Sequence, residues 1–291
     1  MTNKNARLSL VLTMMLFGTI GTISRFINMP SSIICLGRAA VGVLVILLLL
    51  KLRKESIDKE AIKRNIGWLI LSSTLMCLNW TCQFEAFKYT TIATSTLCYY
   101  MQPIFYIVAG AIVLKERASF RKWICVLVAF LGMIFVSGVI QVGFDISELR
   151  GAIYGVVGGF FYAMVVLINK YMKDISPVNT TIMQMALVTV IMTPYAFVTG
   201  DFGKISITGL GVVCLIILGA VHTGLAYIVY FDSVNKLSTQ TVGILSYIDP
   251  VEAVLLSALF LKEPITVWTI VGAILILGAT AVSEFSKDVV K

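Results

Sequence analysis

CYYMQPIFYIVAGAIVLKER at residues 98–117 and SYIDPVEAVLLSALFLKEP at residues 246–264 are two versions of one segment. When Pro103 is aligned with Pro250, a tyrosine, an alanine, a leucine and a Lys-Glu pair coincide without a gap. The two prolines are 147 residues apart (250 − 103 = 147). Several matches at one spacing indicate that the chain arose by duplication of a single ancestral half.

The composition of the chain indicates an integral membrane protein. Only 13% of its 291 residues are charged and the mean hydropathy is +0.94, whereas about 25% of the residues in a typical soluble domain are charged. Apolar blocks of about 20 residues recur along the chain, which is the length that crosses a hydrocarbon core. The first block begins at Leu8 and is not followed by a cleavage site and a polar mature region, so we interpret it as a membrane span.

Polar interruptions divide the chain into ten predicted transmembrane helices, because helices satisfy backbone hydrogen bonds in lipid and no barrel-like alternation is present. The predicted helices span residues 8–27, 31–50, 66–87, 91–114, 120–140, 151–170, 178–199, 208–231, 239–261 and 265–284. The duplication assigns five helices to each half, at residues 1–140 and 150–286. Since five is odd, the second half should enter the membrane from the opposite face. The predicted fold is therefore an all-α membrane protein of two inverted five-helix repeats.

The basic residues predict that both termini are cytoplasmic. With the N-terminus in the cytoplasm, 17 of the 23 Lys and Arg residues face that side and four face the other, as the positive-inside rule requires. This bias explains the net charge of +8 without a nucleic-acid partner. We expect a multi-pass, monomeric protein of the cytoplasmic (cell) membrane, with the lipid bilayer and a small-molecule substrate as its partners.

Two longer stretches carry a family resemblance. EAFKYTTIATSTLCYYMQPIFYIVAGAIVLKERASFRKW (residues 85–123) and AYIVYFDSVNKLSTQTVGILSYIDPVEAVLLSALFLKEPITVW (residues 226–268) resemble the paired signatures of the EamA-like families in the drug/metabolite transporter superfamily. The Gly-rich helices VLVAFLGMIFVSG and IVGAILILGATAVS and the arginine of CLGRAAVG fit the same pattern, although the second loop reads LKEP and not LKER. The resemblance covers about residues 8–284. It implies two EamA-like repeats and favours export of an amino acid or related metabolite, although the family also includes importers.

Charged residues within the predicted spans are the first candidates for a transport site, because charge in the membrane is costly. Asp249 and Glu252 lie three positions apart and therefore share one helix face. Glu252 is about 15 Å from the predicted helix end at Leu261, which places it near the middle of the membrane. It could carry a proton or balance a cationic group, and the alternative is a structural pairing with Arg38 or His222.

His222 is the only histidine of the chain, which excludes multi-histidine metal motifs. It could relay protons, and a structural histidine bonded to a neighbouring hydroxyl is an equally good interpretation. Arg38, the eighth residue of the second predicted helix, could bind a carboxylate on a substrate. A structural ion pair is the favoured interpretation of Arg38, because buried arginines commonly fix helix positions.

Polar and aromatic side chains away from the span ends are further candidates for lining a central cavity. They are Asn79, Trp80, Tyr100, Gln102, Gln184 and Tyr247. Proline kinks a helix by removing a backbone hydrogen bond, so Pro103 and Pro250 are candidate hinges, with static kinks as the alternative.

These features predict a secondary transporter that moves a small polar metabolite by alternating access. The chain has no Walker A motif, so a gradient should supply the energy, with protons as the candidate coupling ion. The alternative within transport is uptake of a cationic or quaternary amine, because aromatic faces attract such cations. An intramembrane enzyme is disfavoured because no catalytic cluster occurs. We expect no enzymatic activity, no cofactor and no metal.

Overall fold

The computed structural model of the chain describes residues 3–54, 56–113, 120–136, 145–200, 205, 207–234, 236–237 and 245–285. Every regular element in these ranges is helical. The helices are α1 (Asn3–Ser24), α2 (Ser31–Arg53), α3 (Lys59–Tyr89), α4 (Ile92–Tyr99), α5 (Gln102–Val113), α6 (Phe120–Val136), α7 (Ile146–Asn169), α8 (Pro177–Thr199), α9 (Gly209–Ile217), a π-helical segment (Leu218–Leu225), α10 (Ala226–Val234), α11 (Ile248–Phe260) and α12 (Val267–Phe285). The all-helical prediction is confirmed for the described residues.

Five of the described helical stretches are long and apolar enough to cross a membrane. They are Lys4–Ser24, Ser31–Arg53, Ile146–Asn169, Pro177–Thr199 and Gly209–Tyr230. Shorter apolar helices occur at Trp123–Val136 and Val267–Val282. The chain is therefore built as a multi-pass membrane protein, while the ten spans and the cytoplasmic position of both termini stay predictions. The predicted span ends at residues 114 and 140 and the start at residue 239 lie outside the described residues.

Side-chain oxygens cap the first turns of several helices. An aspartate or a hydroxyl residue precedes each of these helices and accepts a hydrogen bond from a free backbone N–H of the first turn, which stabilises the helix start. The capping residues are Asp58 for α3, Thr91 for α4, Asp145 for α7, Ser176 for α8 and Thr208 for α9. These five helix starts therefore each have a cap encoded in the adjacent sequence.

Packing between the helices follows a pattern that a two-fold relation between the halves predicts. α1 packs on α11, and its counterpart α7 packs on α4 and α5. α2 packs on the π-helical segment, and its counterpart α8 packs on α3. α2 with α8 and α6 with α12 are contacts between equivalent helices of the two halves. The duplicated sequence is thus accompanied by duplicated packing.

Glycines on α7 allow this helix to lie directly against α3 and α4. A Cβ atom on Gly151 would lie 2.6 Å from the Cβ of Thr90, and one on Gly155 would lie 2.8 Å from the carbonyl oxygen of Ser95. Small residues at this spacing let two helix backbones approach closely. The close contact holds the start of α4 in a fixed position beside α7.

The predicted helix 91–114 is interrupted rather than merely kinked. α4 ends at Tyr99 and α5 begins at Gln102, which puts Pro103 in the first turn of α5. The backbone N–H groups of a first turn have no intrahelical acceptor, so a proline there costs no hydrogen bond. Within a helix, the proline ring would clash with the preceding turn. Pro250 also lies in the first turn of its helix, α11, which begins directly after a turn at Tyr247.

Candidate functional site

The two helix interruptions meet through a hydrogen bond. The Tyr100 hydroxyl donates to Oδ2 of Asp249 at 2.8 Å, and the carbonyl oxygen of Ser246 lies 3.3 Å from the same hydroxyl. Tyr100 follows α4 of the first half, while Asp249 belongs to the first turn of α11 in the second half. The contact therefore links equivalent points of the two halves.

Glu252 lies one turn further along α11, against α1. A Cβ on Gly18 would lie 2.9 Å from the carbonyl oxygen of Asp249 and 3.0 Å from the Cβ of Glu252. Oε2 of Glu252 is buried and accepts no hydrogen bond from any described residue. Neither Arg38 nor His222, the two structural partners considered from the sequence, forms an ion pair with Glu252 within 4.0 Å.

His222 is buried in the π-helical segment and is bonded through both ring nitrogens. Nε2 lies 2.8 Å from Oγ1 of Thr19, and Nδ1 lies 3.2 Å from the carbonyl oxygen of Ile217. A carbonyl oxygen only accepts, so Nδ1 carries a proton in this arrangement. Oγ1 of Thr19 also lies 2.7 Å from the carbonyl oxygen of Leu16.

The hydroxyl of Thr19 can serve either protonation state of the imidazole. With neutral His222 the hydroxyl donates to Nε2; with the imidazolium it accepts from Nε2–H and donates to Leu16 instead. The geometry thus satisfies both forms, and both roles suggested by the sequence, proton relay and structural histidine, fit it.

Arg38 lies on α2 beside the π-helical segment and is only 5% exposed. Its Nε donates to Oγ1 of Thr223 at 2.7 Å, and its Cζ lies 4.3 Å from the centre of the Trp80 ring. Nη1 and Nη2 form no hydrogen bond with a described residue, and no described carboxylate lies within 4.0 Å. The ion pair favoured from the sequence is therefore not present among the described residues.

Asn79 connects Trp80 back to the helix interruption. Its Nδ2 donates to the carbonyl oxygen of Gly158 at 2.8 Å and to the hydroxyl of Tyr99 at 3.3 Å. Tyr99 precedes Tyr100, which bonds to Asp249. Direct contacts and adjacent positions in the chain therefore form a closed circuit of residues. We call this circuit the central ring; its members are Gly18, Thr19, Arg38, Asn79, Trp80, Tyr99, Tyr100, His222, Thr223, Asp249 and Glu252.

Seven residues predicted from the sequence belong to the central ring, and Gln184 belongs to a different cluster. Nε2 of Gln184 donates to Ser72 at 2.6 Å and to Asn169 at 3.0 Å, forming a separate polar cluster between α3, α7 and α8. Gln102 is half-buried at the start of α5, and Tyr247 is half-buried directly before α11. The structure therefore separates Gln184 from the ring.

Thr19 and Thr223 are ring residues that sequence reasoning did not single out. Each hydroxyl holds a charged or titratable side chain, Thr19 holding His222 and Thr223 holding Arg38. Threonines occur in most of the apolar helices of this chain. No local sequence feature distinguishes these two from the others.

A second polar network surrounds Glu263, the glutamate of the second Lys-Glu pair. Its Oε1 lies 3.0 Å from Nη2 of Arg25, and its Oε2 accepts from the backbone N–H of Ile92 at 2.8 Å. Arg25 also donates to the carbonyl oxygen of Thr90 at 2.7 Å, and the Thr90 hydroxyl donates to Glu148 at 2.8 Å. We call this group the Glu263 network; it ties together the end of α1, the starts of α4 and α7, and the α11–α12 connection.

Comparison with known proteins shows the family of this chain. The sequence model of the EamA-like transporter family matches residues 5–138 and 149–284. The chain is 25% identical over 281 residues to the uncharacterized transporter YxxF of Bacillus subtilis (strain 168), covering 96% of this chain and 89% of the relative. It is 28% identical over 138 residues to phosphoenolpyruvate/phosphate translocator 1, chloroplastic, of Oryza sativa subsp. japonica, covering 46% and 33%. A solved crystal structure superposes with a TM-score of 0.69 at 14% identity, covering 97% of both chains, which shows a shared fold.

Proposed function

Because the chain belongs to the EamA-like transporter family, we propose that it moves a small polar metabolite across the cytoplasmic membrane by alternating access. The central ring is the substrate site in this proposal. Ten spans in two inverted halves, with both termini in the cytoplasm, are part of it. A gradient supplies the energy, since the sequence has no Walker A motif.

The observation that carries the proposal is the hydrogen bond from Tyr100 to Asp249, which joins the interruptions of the two halves. In transporters built from inverted repeats, substrate sites lie at the interface between the repeats and are typically formed by discontinuous helices. Pro103 and Pro250 follow the interruptions in the first turns of α5 and α11. This correspondence supports the central ring as the substrate site.

The residues of the ring support coupling to protons. Asp249, Glu252 and His222 are titratable groups on two different elements, and ionisable groups within spans commonly form proton relays. The Oε2 atom of Glu252 has no described hydrogen-bond partner and is therefore the best placed of the three to exchange a proton or meet a cation. We assign Glu252 as the coupling residue.

Export of an amino acid or related amphiphile is the direction and cargo that the family resemblance favours. Aromatic side chains in and near the central ring could hold an apolar side chain of the substrate. The ring centroids of Tyr99 and Tyr162 are 6.0 Å apart, and those of Phe17 and Tyr227 are 5.8 Å apart. The rice relative, named as a phosphoenolpyruvate/phosphate translocator, supports a small metabolite as cargo.

Uptake of a cationic amine is the second candidate, because the buried Oε2 of Glu252 could be its counter-charge. The same ring contains Arg38, whose guanidinium would repel a cation. Enzymatic catalysis is not proposed, since the family and the relatives named above are transporters.

Reconstitution in liposomes tests the proposal. We expect saturable counterflow of labelled amino acids and accumulation driven by an imposed pH gradient. Glu252→Gln should lose the pH-driven accumulation at least about tenfold while retaining counterflow, because exchange needs no net proton movement. Glu85→Gln is the matched control, because Glu85 pairs with Lys88 at 2.7 Å outside the ring.

Measurements in the same liposomes can also refute the proposal. Compounds that bind the purified protein but cross protein-containing and protein-free liposomes at equal rates would show that the protein does not carry them. Flux that never saturates would indicate a channel instead of alternating access.

A further inference from the structure

We propose that the Glu263 network is the outer gate of the transporter, closed in this structure, and that the central ring is reached from outside only when the network opens. The inference rests on the proposed function, because it names the contacts that close one side of the proposed transport path. The outer side is the face to which α1 leads from a cytoplasmic N-terminus.

The network joins the two halves of the molecule at one face. Arg25 follows α1 and Ile92 begins α4 in the first half, while Glu263 follows α11 in the second half. Glu263 holds both first-half ends, since Oε1 lies 3.0 Å from Nη2 of Arg25 and Oε2 accepts from the N–H of Ile92 at 2.8 Å. Glu148 at the start of α7 accepts from Thr90 at 2.8 Å. In alternating access one repeat moves against the other, so contacts that join the halves at one face must break when that face opens.

Tightly packed apolar side chains lie on the ring side of the network. A Cβ on Gly21 would lie 2.5 Å from Cγ2 of Ile92 and 3.4 Å from Cζ of Phe87, so α1 is in direct contact with the start of α4. α1 ends at Ser24, six positions after Gly18 of the central ring (24 − 18 = 6), which is a rise of about 9 Å. This apolar layer and the network therefore lie between the ring and the outer end of α1.

The polar contacts of the network are of a kind that can open and close. The side chains of Arg25 and Glu263 are 31% and 13% exposed, so water and salt weaken their attraction. A cavity of about 140 Å³ is lined in part by Arg25, Phe87 and Lys88. The cavity is space into which the guanidinium can move when it leaves Glu263.

The experiment measures how fast a cysteine behind the network is labelled from outside. Thr22 lies one turn beyond Gly18 on the same face of α1, is 9% exposed, and has no hydrogen-bond partner for Oγ1 among the described residues. Thr22→Cys is therefore a small change at a buried position. A membrane-impermeant maleimide is applied to intact cells and to inside-out membrane vesicles containing the full-length protein. The parent protein, with its six native cysteines, gives the background.

Labelling of Thr22→Cys from outside should be slow and should become faster as salt screens the ion pair. Adding Glu263→Gln, which keeps an acceptor for Ile92, should raise the rate at least about threefold. Adding Glu263→Ala, which also removes the cap, should raise it at least about tenfold. Arg25→Lys keeps the charge and should stay within about twofold of the starting rate.

Glu85→Gln is the matched control, because Glu85 pairs with Lys88 inside α3 and joins no two elements. It should leave the labelling rate of Thr22→Cys unchanged. Equal labelling from outside with and without the two Glu263 substitutions would overturn the inference. Acceleration seen only in inside-out vesicles would also overturn it, since the network would then lie on the cytoplasmic face.

A lower melting temperature with an unchanged labelling rate would identify the network as structural and contradict the gate. If Glu263→Ala does not fold, Glu263→Gln and the salt dependence of the intact network decide. Labelling requires no substrate, so a failed gate leaves the proposed function standing. A gate that opens in the expected pattern, in a protein that moves no metabolite in liposomes, would refute the transport proposal alone.

Discussion

Gly18 marks the point at which α1 crosses α11 beside both carboxylates of the ring. A Cβ at this position would lie 2.9 Å from the carbonyl oxygen of Asp249, a backbone atom that cannot move independently. Gly18→Ala should therefore destabilise the protein by about 1–3 kcal/mol. The melting temperature in detergent measures this loss.

Gly67 is the matched control for Gly18, because nothing lies within 4 Å of a Cβ built on it in α3. Gly67→Ala should be neutral or stabilise the protein by up to about 1 kcal/mol, through helix propensity alone. Equal melting temperatures for the two alanine variants would mean that α1 and α11 do not touch at Gly18.

The hydroxyl of Thr19 determines how His222 is held. Thr19→Val keeps the shape of the side chain but leaves Nε2 of His222 without its 2.8 Å partner. An unsatisfied buried polar group costs about 1–3 kcal/mol, so the melting temperature should fall. Thr189→Val is the control, because that hydroxyl bonds only to the carbonyl oxygen of Met185 in its own helix. A Thr19→Val protein as stable as the control would disprove the contact.

Sequence reasoning at this scale found the charged residues and missed the hydroxyls that hold them. Asp249, Glu252 and Arg38 stand out because a charge within an apolar span is rare. Thr19 and Thr223 acquire their roles only through contacts 203 and 185 positions away in the chain. Such pairings depend on which helices pack together, which one sequence without tertiary information does not contain.

At the scale of the elements, the Glu263 network fixes the start of α4. Glu263 pairs with Arg25 at 3.0 Å and also caps α4 through the N–H of Ile92 at 2.8 Å. The ion pair is partly exposed, so it should contribute no more than about 1 kcal/mol. Loss of the cap adds about 1 kcal/mol. Glu263→Ala should therefore lower stability more than Glu263→Gln, whose amide oxygen can still accept from Ile92.

A double-mutant cycle of Arg25→Gln and Glu263→Gln measures the ion pair separately from the cap. The expected coupling energy is about 0.5–1 kcal/mol and falls as salt is added. Strictly additive effects of the two substitutions on the melting temperature would show that the pair contributes nothing.

Pro103 and Pro250 remain candidate hinges. Both prolines lie in the first turn of a helix, where the N–H of an alanine would have no intrahelical acceptor. Replacing either proline by alanine should therefore change the free energy of unfolding by no more than about 1 kcal/mol. If the interruptions bend during transport, both variants should carry substrate more slowly in liposomes with unchanged binding affinity. Unchanged transport rates would identify the prolines as static features.

The interruption itself shows what the local sequence could and could not predict. Proline at residues 103 and 250 predicted a distortion at the right place in each half. The sequence did not indicate that α4 would end at Tyr99, because the Tyr100–Asp249 contact that accompanies the break joins elements 149 positions apart. A helix distortion depends on the local sequence, whereas the residue that bonds to it depends on the tertiary fold.

At the scale of the whole molecule, duplication was the most informative property of the sequence. The 147-residue spacing predicted two equivalent halves, and equivalent helices have equivalent packing partners. Composition and apolar block length predicted membrane helices before any contact was known. The pairing of α3 with α7 depends on close-packed glycines such as Gly158, which faces Asn79 and Cys82 of α3, and the sequence alone leaves that partner helix open.

The proposed inverted arrangement makes a prediction about sidedness. Reporter fusions at the N-terminus and the C-terminus should both respond as cytoplasmic, because 17 of the 23 basic residues lie on that side of the predicted topology. One terminus on each side would require an odd number of spans and would contradict the inverted five-helix repeats.

Substrate flux through reconstituted protein tests the central claim, that the ring is the transport site, most directly. The comparison is between Asp249→Asn in the ring and Gln184→Met in the separate polar cluster, each at matched amounts of folded protein. We expect saturable flux in the wild type, a change in KM or maximal rate of at least about tenfold for Asp249→Asn, and wild-type values within about twofold for Gln184→Met. Wild-type kinetics in Asp249→Asn together with impaired transport in Gln184→Met would contradict the claim.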